Sequence, residues 1–166
     1  MKRTFLNARA FTLVELLVVI AIIALLTAII TVNFATSKSK ARDGQRIANL
    51  TQIQSALGFY FDRCNVYPPS ITGDPKLITD TSCPPGITLD TFISKIPTPP
   101  TGTTYTSYDY QLPTSPQPHT DYVLRTVLES KNAQWMNSLG SSAPSFASGL
   151  DCGNSSQVNF CVGPKL

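Results

Sequence analysis

From Phe11 to Ile30 almost every position is apolar, and neither proline nor glycine interrupts the run. A helix rising ~1.5 Å per residue needs about 20 such residues to match a hydrocarbon core of ~30 Å. After Ser37 the uniform apolarity gives way to spacing. Ile47, Leu50, Ile53, Leu57, Tyr60 and Phe61 recur three or four residues apart, the mark of an amphipathic helix that lays one stripe on a domain. Asn49, Gln52, Ser55 and Asp62 fall on the other face. No proline lies between Thr31 and Arg63, so the pattern predicts one helix of about fifty residues, roughly 75 Å long. Thr31-Val32-Asn33 is its weakest helix-forming stretch.

Pro68-Pro69 stops the helix. From Ser70 to Gly102 the pattern predicts a long connector, with Thr91 to Ile96 as a short helical or extended piece. A connector of that length needs tying down in a compact domain. Alternation then returns. Tyr105 to Leu112 places Tyr108, Tyr110 and Leu112 on one face, and Tyr122 to Leu128 places Tyr122, Leu124 and Leu128 on one face. The two are predicted to form an antiparallel hairpin across the proline-rich turn from Pro113 to His119. Two strands alone are marginal, so their apolar face should lie on the helix stripe. Val158 to Val162 is a third strand candidate.

The length of 166 residues leaves room for one modest domain beyond the apolar run. Thirteen prolines, all beyond residue 66, favour a loop-rich head over a helical bundle. The formal charge of +3 resides in Lys2, Arg3 and Arg9, so the remainder balances and no nucleic-acid partner is indicated. The tyrosines read as strand packing in preference to a stacking platform. Lys38, Lys40, Arg42 and Arg46 read as a solvated or headgroup-contacting stretch.

Cys64, Cys83, Cys152 and Cys161 all follow the apolar helix. In a small exported domain an even count indicates disulfides, and four cysteines allow three connectivities. The sequence-local pairing, Cys64 with Cys83 and Cys152 with Cys161, is favoured. Zinc is disfavoured because no CxxC spacing occurs and His119 is the one histidine. Oxidised cysteines would place the head outside the cytoplasm. No nucleophile elbow, phosphate loop or metal-ligand pair is present in the sequence, so an enzyme is not expected.

Glu15 is the feature that composition does not explain. From Phe11 to Ser37 it is the sole ionisable side chain, and an acid inside a membrane helix costs about 2.5–3.5 kcal/mol at the centre, less near an end. An amino terminus created at Phe11 by cleavage after Ala10 would supply a cation about one turn away. Met1 to Ala10 is basic and ends in a small residue, but that residue stands before the apolar core, where an ordinary signal peptide has its cleavage site after it.

Ala10-Phe11-Thr12-Leu13-Val14-Glu15 and the helix that follows resemble the class III signal of type IV pilins and type II secretion pseudopilins. Ala41-Arg42-Asp43, Ile53, Ala56-Leu57, Tyr60 and Asn65-Val66-Tyr67-Pro68 resemble the end of the long helix in major pseudopilins, and Tyr122 to Glu129 resembles a sheet strand of their heads. The resemblance implies an α+β, ladle-shaped, pilin-like fold: a leader at 1–10, a membrane or filament-core helix at 11–35, an amphipathic helix at 36–63, and a β-rich head at 64–166. It implies cleavage by a prepilin peptidase between Ala10 and Phe11, N-methylation of Phe11, and subunit registration by Glu15. The partners implied are further copies in a helical filament, an inner-membrane assembly platform with its ATPase, and lipid before assembly.

The same resemblance implies a single-pass inner-membrane protein with its head outside the cytoplasm, then a filament in the periplasm or on the cell surface. Two departures stand out: Ala10 where the family usually has glycine, expected to be tolerated with slower processing, and Val32 where many relatives have proline. No cofactor is expected. Family members commonly bind calcium, for which Asp151 and Asn154 are the candidates here, without a dense carboxylate pattern. A secretion pseudopilus, a surface pilus for adhesion, DNA uptake or motility, and a membrane-anchored binding domain that never polymerises remain the three readings.

Overall fold

The computed structural model describes residues 11–101, 106–113, 119–130, 139, 144–150, 152 and 158–164, with backbone alone at 29–33, 35, 147 and 148. The expected leader, Tyr105, and the calcium candidates Asp151 and Asn154 lie outside the described residues. One helix, α1, runs Leu13–Cys64, followed by strands β1 (Asp109–Gln111), β2 (Val123–Val127) and β3 (Asn159–Val162). The architecture is α+β, with the strands in one antiparallel sheet in the order β1-β2-β3. The chain divides into two compact units, Met1–Lys38 and Ser39–Leu166.

In the first unit every described side chain from Phe11 to Ala28 is exposed. Thr27, the third polar residue of the run after Thr12 and Glu15, turns its hydroxyl back to the Ile23 carbonyl at 2.7 Å, so it adds no unpaired donor to the apolar surface. Among the described residues no helix is long and apolar enough to cross a membrane. Leu13 to Ala28 covers about 24 Å at ~1.5 Å per residue, and the sequence continues the run through Ile29 and Ile30 while the backbone stays helical.

In the second unit the stripe predicted from spacing is the inner face of α1. Leu50, Ile53, Leu57 and Tyr60 are buried with Tyr108, Tyr122 and Leu124. Tyr110 pairs with Leu124, and Leu124 with Val162, which puts these three side chains on one sheet face, the period-two result of antiparallel pairing. Tyr108 and Tyr110 do not waste their hydroxyls: Tyr108 accepts from Asn49 Nδ2 at 2.8 Å and Tyr110 donates to the Pro68 carbonyl at 2.8 Å. Asn49, assigned by spacing to the solvent face, is therefore recruited inward. Burial pushes both tyrosines above the ordinary phenol range.

The connector after Pro69 differs from its expectation. It forms short 3-10 turns at Pro75–Leu77 and Leu89–Thr91 and buries Ile71, Ile78, Leu89 and Ile93 in the same core. It is a third wall of that core as well as a tether. Pro84-Pro85-Gly86-Ile87 closes by an Ile87 N–H to Pro84 carbonyl bond at 3.2 Å with Gly86 at φ 87°, a position an L side chain enters with strain.

The far face of the sheet is covered too. Val123 and Cys161 are buried there with Leu150 and Cys152. Arg125 donates to the Leu150 carbonyl at 3.0 Å and to Asp109 on the neighbouring strand at 2.8 Å, and Asn159 donates to the same carbonyl at 3.3 Å. These bonds hold the 3-10 segment Ser145–Leu150.

Candidate functional site

Helix α1 starts with Thr12 in the N-cap position and Glu15 three residues on. The Glu15 N–H donates to Thr12 Oγ1 at 3.3 Å, while the Glu15 carboxylate accepts from the Thr12 N–H at 2.9 Å and from Thr12 Oγ1 at 2.8 Å. This is a reciprocal capping box, in which two orphan donors of the first turn are satisfied by side chains. A negative charge there also faces the positive end of the helix dipole. Sequence reasoning found Glu15 by the absence of a cation on its helix. It overlooked the Thr-x-x-Glu signal that provides neutral donors in advance. Phe11 stands just before the cap, 82% exposed. Ala10 lies outside the described residues, so the structure brings together Phe11, Thr12 and Glu15 from the predicted site.

A second polar constellation lies in the other unit. The Asp43 carboxylate accepts from Arg46 at 2.7 Å, from the backbone N–H groups of Glu129 and Ser130 at 2.8 and 2.9 Å, and from the Ser130 hydroxyl. Arg46 also reaches Glu129 at 2.8 Å, and Arg42 pairs with the same carboxylate through two nitrogens. The Asp43 and Arg46 side chains are wholly buried. The bond to Arg42, with Arg46 assisting, holds the Glu129 carboxyl down at about 2. The solvated reading of Arg42 and Arg46 is thereby corrected: they clamp α1 to the chain just after β2. Partners some 86 residues away are invisible to local spacing.

The structure joins Cys64 to Cys83 and Cys152 to Cys161. Among the described residues no group of three or more His, Cys, Asp or Glu gathers as metal ligands.

Residues 6–31 match the prokaryotic N-terminal methylation motif. The chain is 34% identical over 78 residues to the type II secretion system core protein G of Klebsiella michiganensis, an alignment covering 47% of this chain and 55% of that protein. It is also 34% identical over 71 residues to the type II secretion system core protein G of Pectobacterium carotovorum subsp. carotovorum, covering 43% of this chain and 46% of that one. The chain thus spans about half the length of the curated relatives it matches. No solved structure matches it. A capped acid in an exposed apolar helix and the methylation motif coincide in the same residues, and the chain that carries them is similar to type II secretion system core protein G.

Proposed function

We propose that this chain is a structural, non-catalytic subunit of a type IV pilus-like filament, a pseudopilin of a type II secretion system. A prepilin peptidase would cut between Ala10 and Phe11 and the new terminus at Phe11 would be methylated. Until assembly the apolar helix anchors the subunit in the inner membrane with its head outside the cytoplasm. It then leaves the bilayer with the help of an assembly platform and ATPase and joins further copies in a periplasmic filament. Glu15 acts as the registering acid. Its local cap keeps the carboxylate hydrogen-bonded while the subunit is alone, and an ammonium at Phe11 of its own or a neighbouring chain adds the opposite charge on assembly. A charge pair of that kind is strong in a low-dielectric surrounding. The proposal needs no cofactor.

The observation that carries this reading is the methylation motif at residues 6–31, centred on a helix that leaves its apolar side chains exposed. The test is the intact mass of the protein recovered from its native envelope. A chain beginning at Phe11 with one added methyl and no free thiols supports the reading. A chain beginning at Met1 refutes it.

A further inference from the structure

In the second unit the core absorbs nearly all the large apolar side chains, and among the described residues just two stay exposed, Phe59 at 59% and Leu77 at 82%. They belong to different kinds of surface. Phe59 sits on α1, stacked on Phe92 at 6.5 Å between ring centres, and borders an open groove of about 340 Å³ formed with Gly58, Asp62, Tyr67, Tyr122 and Pro164. Leu77 is a knob. It ends the 3-10 turn Pro75–Leu77, which Asp74 fixes by accepting the Lys76 N–H at 3.1 Å.

Gly58 has no internal explanation. A glycine inside a helix is less favourable than alanine by about 1 kcal/mol, yet a β-carbon there would meet nothing within 4 Å. The fold does not require the gap; a group arriving from outside would. The charges flanking the two surfaces are opposite: Asp62 lies in the groove, and Lys76 adjoins the knob. Among the described residues neither side chain has an ion-pair partner.

We infer that Leu77 of one copy docks in the groove beside Gly58 and Phe59 of the next, with Lys76 of the first facing Asp62 of the second. Knob and groove are different patches on one chain, so the contact is heterologous, the kind that propagates into an open filament when its rotation does not close. Apolar anchor and flanking charge pair divide the work as in other interfaces, the anchor giving affinity and the pair giving register. The inference rests on the filament reading and adds to it a contact between heads.

The experiment measures sheared-fibre yield from cells making the full chain, normalised to the chain accumulated in membranes. Leu77→Ser and Gly58→Leu should each lower the yield about tenfold, the scale of losing one interfacial anchor. Lys76→Asp and Asp62→Lys should each lower it severalfold, and the double reversal should recover most of that loss. Wild-type yield in Leu77→Ser and in both single reversals would overturn the contact while leaving the filament reading intact. Loss in Leu77→Ser with no recovery in the double reversal would assign the knob to another partner and overturn the contact as well. A wild-type chain that makes no fibres would remove the filament reading, and the contact with it.

Discussion

Helix α1 carries charge in two opposite circumstances. Glu15 stands among exposed apolar side chains and takes its hydrogen bonds from Thr12, within its own first turn. Asp43 and Arg46 are wholly buried and take theirs from each other and from Glu129 and Ser130, far along the chain. The first arrangement forms as soon as the helix does. It leaves the carboxylate accessible to a later partner. The second forms only when the head has folded, and its groups are then committed. On this helix, donors close in sequence leave an ionisable group accessible, and distant donors enclose it.

The largest expected effect on fibre yield comes from removing the accessible acid. Glu15→Ala should lower sheared-fibre yield roughly a hundredfold, the scale of removing one partner of a buried charge pair. Denaturation of the full chain in detergent should be unchanged, because the hydrogen bonds described for Glu15 stay within its own first turn. Normal fibres from the variant would erase the distinction between the two circumstances.

The committed cluster should respond in the opposite way. Asp43→Ala leaves Arg46 short of a partner and strands the N–H groups of Glu129 and Ser130, so denaturation should show a loss of about 3–5 kcal/mol. An unchanged midpoint would mean that the cluster adds nothing.

Acid should sharpen the same point. The Glu129 carboxyl titrates at about 2 in the folded chain, below an unfolded value near 4.3. Its contribution is therefore complete above that unfolded value and is lost as pH falls through the folded one. The loss is roughly 3 kcal/mol, and a denaturation series from pH 5 to pH 2 measures it. Glu129→Gln should lack that limb of the pH profile. The smallest effect belongs to the local cap: Thr12→Val should cost about 1 kcal/mol of helix start, read as roughly fivefold faster amide exchange at Glu15.

What could be read from the residues follows the same division by sequence distance. The helix, its inner stripe from Leu50 to Tyr60, and the alternation at Tyr122, Leu124 and Leu128 are periodic, and local periodicity suffices to place them. The acid at Glu15 was legible because it breaks a uniform run. Three other features were not. Val123 and Val127 sit on the face that alternation leaves over, and nothing near them signals that Leu150 and Cys152 will cover Val123. The connector looked structureless because Ile71, Ile78, Leu89 and Ile93 follow no period, although each is buried. Arg42 and Arg46 looked solvated because charged residues usually are, and their shared partner Glu129 is reached only through the tertiary fold.

The sheet also sets an order of events during synthesis. β2 lies at the centre, flanked by β1 and β3, and about thirty residues separate it from β3 along the chain. At roughly 5–20 residues per second, a growing chain holds β2 for some seconds with one edge unpaired and the Val123 face bare. In that interval α1 has long been made, whereas Cys161, which must find Cys152, has not yet been added. A pause in synthesis between Leu128 and Val158 would prolong the exposure of a sticky strand edge.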